Sequence, residues 1–400
     1  MEEGKVQVAG LIQEQHPDRC RLFMQWHQMD WPVLVDSLNL LGFSSVPMTF
    51  LIDEHGIIRN RRARPGDLAE FLSTSYPAPQ EPAPPPVAPD LDGKIETIES
   101  SKAETRSAAD WTAYGDWLFL RGAEADLMRC VEAYRRAADG GGPPEARFRL
   151  GVALRRRSES SHRQPGDFQA SIDAWLAALD GDPDQYIWRR RIQQYGPRPD
   201  KPYPFYTWVK KAREEITRRG DEPSPLCVEP SGAELAGPGK TLGPDGAEKS
   251  GPDPEGRIRR DSSPLINLEI TVAPSTDNEH VAARAYLSLR PNEEKKGHWN
   301  NEAGDTVIWL DPPEGVRLDD RSFTIPKAAE ETSTETRRVE FEAHYDGVAM
   351  DDEPLMISGY VLYYVCEDVD GECLYLRRDF LVKLRPSRSA GRRSAGASPR

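Results

Sequence analysis

The chain has 400 residues, enough for two or three domains. Its 66 acidic residues outnumber 52 basic ones, and the net charge of −14 argues against nucleic-acid binding by the chain as a whole. No run approaches the roughly 18 apolar residues needed to cross a bilayer. Met1-Glu2-Glu3-Gly4-Lys5 lacks both the basic and the apolar region of a signal peptide, so the protein is expected to be cytoplasmic or to start upstream of Met1. Five cysteines, at 20, 130, 227, 366 and 373, are too few for a disulfide framework.

Residues 1–75 alternate element types. Val6–Ile12 reads as a strand, and Asp18–Met29 as a helix with Cys20, Phe23, Met24 and His27 at helical spacing. Trp31–Asp36 is a second strand and Leu38–Leu41 a short helix. Val46-Pro47-Met48-Thr49 then opens an apolar strand, Phe50-Leu51-Ile52, which passes through the turn residues Asp53 to Gly56 into Ile57-Ile58. Pro47 has no N–H for a ladder bond, which puts it at a strand start. A last helix is expected from Gly66 to Leu72. This order implies an α/β sheet with helices on both faces.

Residues 76–105 begin with a proline-rich run, 77–92, and read as a stiff linker. Residues 106–220 read as helices throughout. Cys130-Val131-Glu132-Ala133-Tyr134-Arg135-Arg136-Ala137 recurs as Ser171-Ile172-Asp173-Ala174-Trp175-Leu176-Ala177-Ala178, an offset of 41. Residues 221–263 hold Gly, Pro, Glu, Asp and Ser with few large apolar groups and are expected to be a disordered linker. Residues 264–385 are β-rich, with alternating runs at Leu265–Val272, Val281–Leu289, Thr306–Leu310, Arg338–His344, Ile357–Val365 and Leu374–Leu384, which point to a sandwich. Residues 386–400 read as a basic disordered tail.

Cys20, flanked by Arg19 and Arg21, is either a thiol with a stabilised thiolate or a half-buried helix cysteine, and the second is the ordinary case. His16 and His27 stand eleven apart and share no helix face, so they do not make a metal site. Cys366 and Cys373 lie at the two ends of a turn between apolar strands, a placement that brings Cβ atoms within about 4 Å, which is disulfide reach. The pair admits three readings: a redox-exchanging dithiol, a structural hairpin disulfide, or two reduced core thiols. Glu367, Asp368, Asp370 and Glu372 would raise its thiol pKa values and slow attack. Lys296-Gly297-His298-Trp299-Asn300-Asn301-Glu302 reads as a loop anchored by a tucked-in Trp, or less commonly as a binding surface. The acidic turns Asp319-Asp320 and Asp351-Asp352-Glu353, and the helical run Arg189-Arg190-Arg191, read as solvated. Nothing calls for a metal or a cofactor.

Three resemblances attach to these residues. Val46-Pro47-x-Thr-x-x-x-Ile-Asp-x-x-Gly resembles the cis-proline strand and hairpin of the thioredoxin-like redoxins, the thiol–disulfide and peroxide-reducing families. The resemblance implies that Val46 and Pro47 shape a substrate groove beside a catalytic thiol. No Cys-x-x-Cys exists in the 400 residues, so 1–75 reads as such a domain without its first strand and catalytic helix. The offset of 41 is the tetratricopeptide period of about 34 plus an insertion near Ser160–Gly166, with Trp111-x-x-Tyr114-Gly115 and Leu150-Gly151-x-x-Leu154 similar to the repeat's first helix. The Cys366–Cys373 hairpin resembles that of the N-terminal immunoglobulin-like domain of the bacterial thiol:disulfide interchange protein, whose two cysteines pass electrons between thioredoxin-like partners. Together these imply a multidomain chain (thioredoxin-like α/β, all-α repeat, all-β immunoglobulin-like sandwich) acting in extracytoplasmic disulfide exchange or peroxide defence. Its partners would be thiol proteins, with a peptide or protein held by the helical repeats. The alternative is a non-catalytic scaffold that uses only the repeats.

Overall fold

A computed structural model describes residues 6–80, 87–196, 203–237, 251–275, 282–345, 354–367 and 373–384. The fold is mixed α and β, and the chain divides into two compact units. The first comprises Met1–Arg157, Ala177–Arg189 and Ala212–Val228, the second Ser158–Leu176, Arg190–Lys211 and Glu229–Arg400. Several of the helices are thus shared between the two.

The first unit opens with β1 (Gly10–Ile12), α1 (Pro17–His27) and β2 (Val33–Val35). β1 and β2 pair in parallel with Leu11 opposite Leu34, so α1 is the crossover of a β-α-β turn. Pro17 sits in the first turn of α1, where its missing N–H costs no helical bond, and Gln28 ends the helix in the left-handed region. Leu22 and Cys20 face inward.

The expected helix at Leu38–Leu41 is a turn instead. The Asp36 carboxylate accepts the N–H groups of Leu40 and Leu41 at 2.8 and 3.2 Å and so competes with helical bonding. The strand expected from Val46 starts only at Leu51, and Pro47 lies in the bend before it; β3 (Leu51–Ile52) and β4 (Ile58–Asn60) form the hairpin. Asp53 builds its turn by accepting the N–H groups of His55 and Ile57, both at 2.9 Å, while Gly56 takes φ 79°. Among the described residues the two strand pairs are separate ladders rather than one sheet. α2 (Asp67–Ser73) follows.

α3 (Leu91–Ser100) stands inside the segment read as linker. Leu91, Ile95 and Ile98 recur at helical spacing there, Asp90 caps the start by accepting the Gly93 N–H at 2.9 Å, and Ile95 and Ile98 are buried. α4 (Ala108–Arg121) begins with a reciprocal Ser107–Asp110 capping box and ends at Gly122; α5 (Leu127–Asp139) packs against it. α6 (Pro144–Ser158), α7 (Asp167–Gly181), α8 (Tyr186–Gln193) and α9 (Trp208–Arg218) complete the helices. Both members of the 41-residue offset are helical, on α5 and α7.

Within the second unit, β5 (Ile266–Pro274), β6 (Ala282–Pro291), β7 (Gly297–Asn300), β8 (Thr306–Asp311), β9 (Val316–Leu318), β10 (Ser322–Ile325), β11 (Thr332–Ser333), β12 (Arg337–Tyr345), β13 (Leu355–Glu367) and β14 (Cys373–Leu384) form two antiparallel sheets. One runs β5-β6-β12-β9, the other β10-β8-β13-β7-β11 with β14 on the far edge of β13. Both contribute to one apolar core that includes Leu287, Trp299, Phe341, Val361, Tyr363 and Leu376. The six alternating runs read from the sequence correspond to β5, β6, β8, β12, β13 and β14.

Much of the segment 221–263 read as disordered makes specific contacts. Ser231 caps a short 3₁₀ turn, and Ala233 donates its N–H to Glu340 at 2.8 Å. Further on, the Arg259 carbonyl and the Asp261 N–H bond to Arg377 on β14. These two backbone hydrogen bonds at an isolated bridge, with the Arg377–Asp253 pair, are polar contacts that an apolar count does not register. Residues 238–250 and 385–400 lie outside the described residues.

Candidate functional site

Cys366 and Cys373 form a disulfide. They are the last register pair of β13 and β14, directly opposite each other with Cα atoms 3.9 Å apart. On its other edge β13 pairs with β7, which sets Cys366 opposite His298 and Val365 opposite Trp299. Opposite residues in an antiparallel pair leave the sheet on one face, and neighbours along a strand alternate. Cys373, Cys366 and His298 therefore form a row across the outer face, while Val365 and Trp299 point into the core. Two residues along, on the same face, Tyr364 and Tyr375 stack with centroids 4.3 Å apart. Burial, with Tyr364 beside it, pushes the Tyr375 hydroxyl up.

The two cysteines are not equivalent. Cys366 is 3% exposed, whereas Cys373 is exposed. Beside them is an open groove of about 420 Å³ lined by Glu293, Lys296, Gly297, His298, Thr332 and Thr334. Of the acids expected around the pair, Glu367 is described and exposed; 368–372, which include Asp368, Asp370 and Glu372, lie outside the described residues.

β7 is held firmly for so short a strand. Trp299 is fully buried, donates its Nε1–H to the Glu335 carbonyl at 2.9 Å and meets Tyr363 edge-on. The Arg337 guanidinium lies 4.3 Å over the Trp299 ring and hydrogen-bonds Thr306 and Asn301. Gly297 donates to the Asn292 carbonyl at 3.0 Å, and a Cβ at Gly297 would stand 3.1 Å from the Leu265 carbonyl oxygen. The segment read as a loop anchored by its Trp is thus a strand anchored by it.

The other sequence-predicted residues separate from this site. Val46 and Pro47, joined by a cis peptide, are exposed in the first unit. Cys20 is buried on α1, and burial and then the Glu14 charge push its thiol up, the opposite of an activated thiolate. Arg19 is itself buried and donates to the Val228 carbonyl. His16 lies 3.9 Å from Glu14, while His27 stacks with Phe23 and Trp26. Among the described residues no group of three or more His, Cys, Asp or Glu is placed to hold a metal ion. Arg190 and Arg191 are not a solvated face: Arg190 stacks on Tyr203 and Phe205, and Arg191 is buried near Trp175. Asp319 and Asp320 bind backbone N–H groups of Glu342, Arg321 and Ser322, and 351–353 lie outside the described residues. No described helix is long and apolar enough to cross a membrane. A second pocket of about 230 Å³ in the first unit is apolar, with Leu11, Leu34, Leu40, Leu41 and Phe119 in its wall.

No protein-family model and no curated protein matches the chain. Among solved structures it is similar to the FixG-related protein from Vibrio parahaemolyticus, at 8% identity and TM-score 0.14, over 30% of this chain and 98% of that one. It is also similar to the CooA pilin subunit from enterotoxigenic Escherichia coli, at 14% identity and TM-score 0.12, over 26% of this chain and 81% of that one. Likenesses at such scores carry no argument about fold or function.

Proposed function

We propose that the chain is a thiol–disulfide redox protein of the redoxin class, in which Cys366 and Cys373 carry the exchange. The reading rests on the setting of the pair: a cross-strand disulfide with one buried and one exposed cysteine, in register with His298 in the wall of an open groove. Exchange requires access for an incoming thiol, and Cys373 is the exposed member of the pair. The parallel β1-α1-β2 turn, the β3–β4 hairpin and α2 support a thioredoxin-like origin for residues 1–75, with Val46 and Pro47 on an exposed rim where a partner chain would lie. The α4–α5 packing supports a tetratricopeptide-like region, and the paired sheets an immunoglobulin-like sandwich resembling the disulfide-reductant domain. The partner is another thiol protein, in extracytoplasmic disulfide exchange or peroxide defence, and the exchange itself uses no cofactor. Titration against glutathione buffers tests this. A midpoint below about −300 mV marks a structural bridge, and such a value together with no insulin reduction would overturn the proposal.

A second reading has its own observation. Leu34 and Leu41, at the apolar pocket of the first unit, are 62% and 61% exposed. That is surface a partner would cover in a non-catalytic interaction protein. If the pair fails to exchange and Leu34→Asp abolishes capture of a partner, this reading takes over.

A further inference from the structure

We infer that exchange at this disulfide is directional: an incoming thiolate attacks Cys373, Cys366 leaves, and His298 receives the leaving sulfur. The inference rests on the exchange reading above. It follows from the order of groups across the outer face, Cys373 on β14, Cys366 on β13 and His298 on β7. Displacement at a disulfide sulfur is in line, so the nucleophile must approach from the side opposite the sulfur that leaves. For Cys373 that side is the outer edge of β14, where the Arg259–Asp261 segment bonds only near Arg377 and no strand is paired at Cys373 among the described residues. For Cys366 the approach would run through the position of His298, and Cys366 is 3% exposed.

The steps balance as follows. A protein dithiol supplies a thiolate, which bonds to Cys373 Sγ. The Sγ–Sγ bond breaks and its electron pair goes to Cys366 as thiolate. The partner's second thiolate then attacks its own sulfur in the mixed disulfide and releases Cys373 as thiolate. The partner is oxidised to a disulfide, and the cysteine pair takes up two electrons. The buried Cys366 thiolate needs a donor in place of water, and the imidazole opposite it is such a group. Opposite residues in a ladder have Cβ atoms roughly 4.5–5.5 Å apart. Among the described residues, Glu367, opposite Gly297, and Lys296 and Glu293, in the groove wall, are charged groups beside this row. His298 is thus a positioning residue for the leaving thiolate, held in place by the anchoring of Trp299.

The test uses the full oxidised chain. It is treated with reduced glutathione, quenched with N-ethylmaleimide and mapped by peptide mass. Glutathione should appear on Cys373 and maleimide on Cys366, with at least a tenfold bias. An equal or opposite distribution overturns the direction of attack, and this measurement needs no variant. His298→Ala should slow attack about tenfold and make the reduced pair about tenfold less favourable, a fall in midpoint of about 30 mV. His298→Gln, which keeps an N–H donor, should recover part of both. An unchanged midpoint in His298→Ala, with its circular dichroism as in the parent, removes His298 from the mechanism. No glutathione on either cysteine, with a midpoint below about −300 mV, instead refutes the exchange reading itself.

Discussion

The contact between α4 and α5 turns on Gly115. A Cβ built there would stand 2.6, 2.7 and 2.9 Å from three ring carbons of Tyr134, where carbon atoms pack at about 3.5–4.0 Å. The shortfall is about 1 Å, and the ring has nowhere to go. Tyr134 is fully buried, and its hydroxyl donates to Asp116 at 2.8 Å, whose other oxygen binds Arg149 at 2.7 Å. Gly115→Ala must therefore part the helices. Overpacking of this kind costs about 1–3 kcal/mol, against a gain of about 1 kcal/mol for Ala over Gly inside a helix. The net expectation is a loss of about 0–2 kcal/mol. Urea unfolding followed at the helical circular-dichroism band should show a lower midpoint at unchanged slope. The decisive comparison is the same substitution in a Tyr134→Val background, which removes all three ring atoms. There Gly115→Ala should become stabilising, by up to about 1 kcal/mol. An equal cost in both backgrounds would refute the packing argument, because coupling between touching residues is what the double-mutant cycle reports.

Removing the disulfide by the double change Cys366→Ser/Cys373→Ser should lower the stability of the sandwich by at most about 2.5 kcal/mol, since the closed loop spans a separation of only 7 residues; a larger loss in urea unfolding would mean that the bridge holds more than its own hairpin. Arg377 joins Asp253 at 2.9 Å and Asp379 at 2.7 Å and lies 3.8 Å over the Tyr360 ring. Burial acts to raise both carboxyls, but hydrogen bonds from Arg377, joined by Arg260 at Asp379, outweigh it and hold them below the usual range. Depressed carboxylates stabilise the fold above their ordinary pKa of about 3.9 and lose that contribution as pH falls through the lower folded value. The difference in thermal midpoint between the parent and Arg377→Met should therefore be constant above about pH 5 and shrink on acidification toward pH 2; a difference that grows in acid contradicts the pairing. Asp53→Ala should speed amide exchange at His55 and Ile57, which lose their acceptor, while leaving exchange in α4 unchanged; uniform acceleration would mean that Asp53 supports more than its turn.

What the sequence disclosed follows the reach of the forces involved. The long strands of the sandwich were legible because each buries one face, and burial of one face writes a period of two into the residues. β7, β9, β10 and β11 were not, because two to four residues are too few to show a period. α3 was hidden by the prolines before it, although Leu91, Ile95 and Ile98 carried the helical spacing. The turn at Leu38–Leu41 was misread because a single side chain, Asp36, decides it against the apolar pattern.

The site divides in the same way. Cys366 and Cys373 could be paired from sequence because a hairpin is local and its ends meet wherever the turn closes. His298 could not be added, since its place beside Cys366 depends on the register between β7 and β13, and that register is set by Trp299 entering the core. A shift of one residue along β13 would turn His298 inward and bring Trp299 out onto the disulfide. The signal that could have found it was the aromatic in Gly297-His298-Trp299: a buried Trp on a short strand fixes which neighbour faces out, and the outward neighbour here is the imidazole. On the exchange proposed above, anchoring and chemistry would therefore be coupled in adjacent residues. A substitution at Trp299 that leaves the sandwich folded should disturb exchange through the orientation of His298, without touching either sulfur.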